Sequence, residues 1–304
     1  MSDAIQSVAI SGATGLVGTA LTELLTSEGK SVAAISRRDG GSYQDTIKWD
    51  PATGLTNPAR LEGVDAVVHL AGENIAGARW NDTVKRRILN SRVEGTRSLV
   101  ESIAAVEKRP KVLVSASAIG IYGDRGAQEL TEDSEAGTGF LADVCKGWEE
   151  EANKAKDLGL RVVNVRIGVV LSPKGGALAK MLLPFKLGMG GIVGSGKQYW
   201  SWIGLHDLTR VIAYCVNNEA IEGPVNAVSP QPLTNKAFTK DVGAVLSRPT
   251  IFPLPAFMAK LVLGEMAQDL LLASSRVLPT RLLGAGFEFS HPELQDCLRH
   301  ELGK

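Results

Sequence analysis

The stretch Ser7-Val8-Ala9-Ile10-Ser11-Gly12-Ala13-Thr14-Gly15-Leu16-Val17-Gly18 constrains this chain more than any other. An apolar, strand-like run leads into three glycines at three-residue spacing, and a helical pattern of Leu16, Ala20, Leu21, Leu24 and Leu25 starts at once. Glycine allows a tight turn and close approach of backbone to a ligand. The first helical turn adds unpaired N–H groups and the positive end of the helix dipole. That setting suits a dinucleotide pyrophosphate, with Gly12, Thr14, Gly15, Leu16, Val17 and Gly18 as its contacts.

Apolar strands alternate with helical patterns as far as residue 170. The strand-like segments are Ser31–Ser36, Val64–Leu70, Lys111–Ser115 and Arg161–Val170. The expected fold class is α/β, a doubly wound Rossmann-like parallel sheet with a smaller C-terminal cap. A chain of 304 residues with 44% hydrophobic and 22% charged residues can bury such a sheet. Formal net charge is zero, which argues against bulk attraction to nucleic acid or to an anionic membrane. No apolar run reaches transmembrane length, and the N-terminus passes directly into the first strand, so no targeting segment is expected. Cys145, Cys215 and Cys297 are scattered without metal-ligand spacing. They read as reduced thiols in the cytoplasm or an organelle matrix, and no metal site is expected.

Further along, the second strand ends in Ser36-Arg37-Arg38, about twenty residues past the loop, where the adenosine ribose lies in a nucleotide fold. A carboxylate there would accept the ribose 2′-OH of NAD. A hydroxyl and two guanidinium groups suit a 2′-phosphate instead, so the cofactor expected is NADP(H). The next strand ends at Leu70, and the small residues Ala71-Gly72 after it let a cofactor pass close to the backbone, so Leu70, Ala71 and Gly72 are expected contacts. Trp49 reads as core. Beyond residue 170 the alternation loosens. Gly188–Gly196 reads as a mobile loop, and helical stretches are expected near 235–246 and 255–272, followed by a last amphipathic helix ending at Leu302.

Several motifs together resemble the extended and atypical short-chain dehydrogenase/reductases. These are the Gly-x-x-Gly-x-x-Gly loop, His69-Leu70-Ala71-Gly72, Ser115-Ala116-Ser117 with Tyr122-Gly123, and Trp202-Ile203 with His206-Asp207. Ser91-Arg92-Val93-x-Gly95-Thr96, Arg166-Ile167-Gly168-x-Val170-Leu171-Ser172 and Leu278-Pro279-x-Arg281-Leu282-Leu283 resemble, more narrowly, the epimerase/dehydratase branch with a C-terminal domain of unknown function. The resemblance covers essentially the whole chain and implies an NADP(H) preference; the partner expected is a small-molecule substrate, and the chain is expected as a monomer or homodimer. Residues 1–166 and 204–228 would form the nucleotide domain, and 167–203 with 229–304 the cap, the family's C-terminal domain falling at about 250–300. Among the cofactor contacts, Arg166 is expected at the end of its strand.

That superfamily works with a Ser or Thr, a Tyr and a Lys, the last two spaced Tyr-x-x-x-Lys, in which the Lys favours the phenolate. Four residues after Tyr43, Tyr122, Tyr199 and Tyr214 stand Ile47, Gly126, Ile203 and Asn218, so the pair is absent. Ser117 matches the hydroxyl position. Lys146 is the remaining lysine on the helix that should carry the pair, with Ala142 four residues before it. Tyr122 either donates the proton or packs its ring over a pocket, and Lys146 either meets the nicotinamide ribose or faces solvent. Arg92, where the family has Asn, and His206 are candidate substrate contacts, each with a structural role as the alternative. The expected function is an oxidoreductase or epimerase acting on a carbonyl or carbinol. The alternative is an NADP(H)-binding regulatory protein without turnover, which suits relatives whose names link them to cell or plastid division.

Overall fold

The computed structural model describes residues 4–37 and 45–304. Arg38 and Tyr43, both singled out above, lie outside the described residues. From the N-terminus run β1 (Ser7–Ser11), α1 (Leu16–Ser27), β2 (Ser31–Ser36), β3 (Thr46–Asp50), β4 (Gly54–Leu55), β5 (Ala66–His69), α2 (Asp82–Ala104), β6 (Val112–Ala118), β7 (Glu129–Leu130), α3 (Phe140–Asn153) and β8 (Arg161–Ile167). The later elements are β9 (Val169–Ser172), α4 (Gly176–Lys186), β10 (Tyr199–Trp200), β11 (Trp202–Gly204), α5 (Leu205–Asn217), β12 (Gly223–Ala227), β13 (Leu233–Thr234) and α6 (Asn235–Leu246). The chain closes with α7 (Ala256–Leu263), α8 (Glu265–Ala267), β14 (Arg276–Val277), α9 (Thr280–Gly284) and α10 (Leu294–Leu302).

Eight strands form the main sheet in the order β12-β8-β6-β5-β1-β2-β3-β4. Every pair in it is parallel except β3 with β4. The chain builds outward from β1 through β2 and β3, then returns to the other side of β1 as β5. That reversal is the switch point beyond which open α/β sheets bind ligands. Side chains alternate across each strand. Val8 and Ile10 therefore pack with Leu21 and Leu25 of α1 and with Leu208, Val211 and Ile212 of α5. Ala9 faces the opposite layer, with Leu99 and Ile103 of α2 and Ala152 of α3. Burial on both faces accounts for the nearly continuous apolar strands, and the architecture is the expected doubly wound α/β sheet. Trp49 is buried in the α2 layer.

The later segments build a separate core. Leu178, Leu182 and Phe185 of α4 meet Trp200, Trp202, Phe238 and Val242, together with Leu294, Cys297 and Leu298. Two details differ from the sequence expectation. The single strand Arg161–Val170 is two strands, divided at Gly168, because β9 leaves the main sheet to pair with β11. A Cβ at Gly168 would stand 2.7 Å from both the Ser201 carbonyl oxygen and Val228, so the crossing needs glycine. The Gly188–Gly196 segment is held by the 252–254 backbone: the Gly194 amide donates to the Leu254 carbonyl, and a Cβ at Gly191 would overlap the Phe252 carbonyl. The stretch 276–289 holds a short strand and one short helix.

Candidate functional site at the carboxyl edge of the sheet

The three loop glycines have three separate reasons. Gly12 takes φ +72°, and a Cβ there would lie 2.9 Å from the Ala71 nitrogen and the Leu70 carbonyl carbon, so the loop rests directly on the strand end after β5. Gly15 donates its amide to the Gly12 carbonyl at 2.9 Å and caps α1 with no side chain in the way. Gly18 lets the helix lie on the loop, since its Cβ would fall 2.2 Å from the Gly12 oxygen. The Leu70 amide donates to the Ser11 carbonyl, locking β1 and β5 together at the switch point. Ser36 ends β2 and Arg37 follows it, exposed. A concavity of about 290 Å³ beside the loop is lined by Thr14, Gly15, Leu16, Thr19, Ala20, Glu23, Lys174 and Leu205. Lys174 was not foreseen from the sequence. It reaches this edge because the turn after β9 lies on Leu16, within 3.5 Å of where a Gly175 Cβ would stand. A larger depression of about 730 Å³, lined by Ala4, Ile5, Lys111 and Asn217 among others, lies at the opposite, amino end of the sheet, away from the loop.

At the end of β6 the register aligns Ser117 with Arg166 of β8, and Arg166 with Asn226 of β12. Register partners point to the same face, here the face covered by α3, which brings Glu149 over them. Glu149 takes a bidentate pair from Arg166 (Nε to Oε1 2.8 Å, Nη2 to Oε2 2.9 Å) and a third bond from the Ser117 hydroxyl at 2.7 Å. Arg166 Nη1 donates to the Tyr122 hydroxyl at 2.9 Å and to the Glu132 carbonyl, and the Tyr122 hydroxyl donates to Asn226 at 2.7 Å. Burial opposes the Arg166 charge, but the bonds and field of Glu149 win and hold its pKa above the ordinary guanidinium range. Burial raises the pKa of Tyr122, with Arg166 only partly offsetting it. Tyr122 has no exposed surface, and its hydroxyl is engaged by Arg166 and Asn226. Arg166, expected at the cofactor, spends its hydrogen bonds inside this network.

Helix α3 presents different residues from those expected. A Cβ at Gly120 would stand 3.2 Å from Leu141 Cβ and 4.0 Å from Cys145 Sγ, so Leu141 and Cys145 face the turn that follows β6. Lys146 is rotated about 100° onward, nearly half exposed, and paired with Asp143 at 2.6 Å. Cys145 is buried, and burial, with Glu149 nearby, pushes its thiol up to about 11. Arg92 lies at the same edge: its guanidinium carbon is 3.2 Å from where a Gly72 Cβ would be, stacks 5.0 Å over Trp148, and Nη1 donates to the Glu73 and Ile88 carbonyls. Burial lowers its pKa.

His69, at the end of β5, is fully buried between Ser11 Oγ (2.6 Å to Nδ1) and Thr96 Oγ1 (3.0 Å to Nε2). Burial, helped by Arg92, lowers its pKa from 6.5 to about 4. Between those values the unfolded chain holds the proton and the folded chain does not, so stability present above pH 6.5 is lost as pH falls towards 4. The expected loss is about 3 kcal/mol, read from urea unfolding across the interval. His206, whose pKa is lowered mainly by burial, adds a loss of the same sign. A His69→Gln variant with an unchanged pH slope would refute the assignment. His206, a candidate substrate contact, is exposed at the start of α5 and turns its ring to His291 and His300.

Comparison with known proteins places the chain in a family. The model of the NAD dependent epimerase/dehydratase family matches residues 8–227, and that of a domain of unknown function, DUF1731, matches 254–301. An epimerase family protein of Mycobacterium bovis is 40% identical over 291 residues, covering 96% of each chain. The crystal structure of the human epimerase family protein SDR39U1 with NADPH superposes with a TM-score of 0.89 at 36% identity, covering 98% of this chain and 99% of that one. A nucleoside-diphosphate sugar epimerase from Corynebacterium glutamicum gives a TM-score of 0.81 at 37% identity, over 98% of this chain and 58% of that one. No helix among the described residues is long and apolar enough to cross a membrane. With more than half its length matched by one family model and near-full-length relatives above 30% identity, this chain belongs to the NAD dependent epimerase/dehydratase family, in the form that also carries the DUF1731 domain.

Proposed function

We propose that this chain binds NADP(H) at the switch point between β1 and β5. It acts there as an oxidoreductase or epimerase on a carbonyl or carbinol substrate of nucleotide-sugar type, without a tyrosine–lysine proton pair. One observation carries the binding: the loop Gly12–Gly18 is a cradle of backbone in which a Cβ at Gly12 or Gly18 would collide with neighbouring main chain. A dinucleotide fits such a cradle. The amides at the start of α1 hold its pyrophosphate, Thr14, Leu16 and Val17 flank it, and Lys174 adds a positive charge. Ser36 and Arg37 meet the 2′-phosphate, and Leu70, Ala71 and Gly72 form the floor. The cofactor, when bound, supplies or accepts hydride. Ser117, through Glu149, and Arg166 with Tyr122 hold the end of β6 in shape. Arg92 offers its charge to an anionic substrate. The human relative crystallised with NADPH and the Corynebacterium relative named for nucleoside-diphosphate sugars support this reading.

Cys145, a buried and protonated thiol against Ser117 on the α3 face, favours a second reading, NADP(H) binding without turnover. Calorimetry is expected to find NADPH bound more tightly than NADH, and Arg37→Ala to erase most of the gap, a loss of roughly ten- to hundredfold for charge-assisted bonds. Equal affinities in the unmodified chain would sink the NADP assignment. NADPH consumption with any member of a carbonyl panel supports the oxidoreductase; binding with no consumption supports the second reading.

A further inference from the structure

Three of the chain's four histidines, far apart in sequence, meet at one surface point. His206 opens α5, His291 lies just before α10, and His300 sits in its last turn. The His291 and His300 rings stack at 4.2 Å, and His206 stands edge-on to both, at 5.8 Å and 4.9 Å. One ring nitrogen from each lies within 4.8 Å of the others. Chance crowding of imidazoles is disfavoured once any two are protonated, so such a cluster wants a reason.

The surroundings are built to hold these rings in place. Asp296 Oδ2 accepts from His291 Nδ1 at 2.8 Å, which leaves Nε2 as the lone-pair nitrogen and matches the carboxylate–histidine arrangement that orients metal ligands. Asp207, buried, accepts the backbone amides of Ser290 and His291, each at 3.0 Å. Glu301 accepts the amide of His206 at 3.0 Å. Each of the three carboxylates thus fixes a histidine's ring or backbone, and these bonds leave the His291 Nε2 and both ring nitrogens of His206 and of His300 to an ion.

We propose that His206, His291 and His300 form a binding site for a d-block divalent cation such as Zn²⁺, tying the C-terminal segment to α5. Three imidazoles with an open fourth position are a borderline-soft donor set, suited to zinc, nickel or copper rather than magnesium. Ligand nitrogens around tetrahedral zinc stand about 3.3 Å apart at Zn–N distances near 2.05 Å, so closure from the observed separation needs side-chain movement on the order of 1 Å. The ion would bridge the start of α5, within the epimerase match, to the DUF1731 segment. The three cysteines are buried and do not compete for it.

The test uses the full chain purified without a histidine tag and stripped with chelator. Added ZnCl₂ is expected to bind one ion per chain by calorimetry and to raise the unfolding midpoint by roughly 5 °C at a hundredfold excess over Kd, with MgCl₂ giving no rise. His300→Ala, a change at an exposed ring, is expected to leave the metal-free midpoint in place and abolish the zinc-dependent rise. Asp296→Asn is expected to weaken zinc binding about tenfold. Absence of a zinc-dependent rise, an equal rise with magnesium, or a rise that persists in His300→Ala would each overturn the site.

Discussion

Arg166→Met is expected to destabilise the fold by about 3–5 kcal/mol, the largest loss from any single substitution considered for this chain. The substitution removes both bonds to the Glu149 carboxylate and leaves that charge largely buried, with only the Ser117 hydroxyl to hold it. It also takes away the donor to the Tyr122 oxygen. Urea unfolding measures the loss. The double variant Arg166→Met with Glu149→Leu is expected to recover most of it, because an apolar pair of similar volume carries no desolvated charge. Lys146→Met, on the solvent side of the same helix, removes only an exposed ion pair and should change stability by less than about 1 kcal/mol. Equal effects from Arg166→Met and Lys146→Met would mean that the network is not a buried unit.

The cradle gives the second large effect. Gly18→Ala places a methyl group 2.2 Å from the Gly12 carbonyl oxygen and 2.7 Å from Ala13 Cα, so loop and helix must separate. Overpacking of this kind costs about 1–3 kcal/mol, and the displaced amides are expected to weaken NADPH binding by at least roughly tenfold. Gly29→Ala is the control. It too has a positive φ, of 81°, but no atom lies within 4 Å of its would-be Cβ, so it carries backbone strain alone, far from the loop. Calorimetry on both variants separates the two. Undiminished NADPH binding by Gly18→Ala would remove the cradle from the proposed function.

Much of the fold could be read along the chain because its causes are local. The apolar runs, the glycines at 12, 15 and 18 and the helical pattern after them each state a backbone requirement within a few residues, and β1, α1 and β2 lie where that pattern puts them. The network under β6 left a fainter trace: polar residues at Ser115 and Ser117, and again at Asn164 and Arg166, recur with period two on otherwise apolar strands. That alternation marks one polar stripe on one face of the sheet. Its partner, Glu149, comes from a helix whose rotation no strand pattern reports.

The sequence by itself determined the dinucleotide loop, the parallel sheet, the family and the absence of a Tyr-x-x-x-Lys pair, since each is a matter of residue type and spacing along the chain. Only the tertiary structure decided that Leu141 and Cys145 meet Gly120 just after β6 while Lys146 lies half exposed, because one residue turns a helix by about 100° and packing alone sets its zero. It also decided that Arg166 and Tyr122 bond to Glu149 and Asn226 inside the protein. The meeting of His206, His291 and His300 belongs with these. Their nearness is a product of α10 packing on α6, β9 and β11, which brings Glu301 to the start of α5, and no local spacing of residues encodes it.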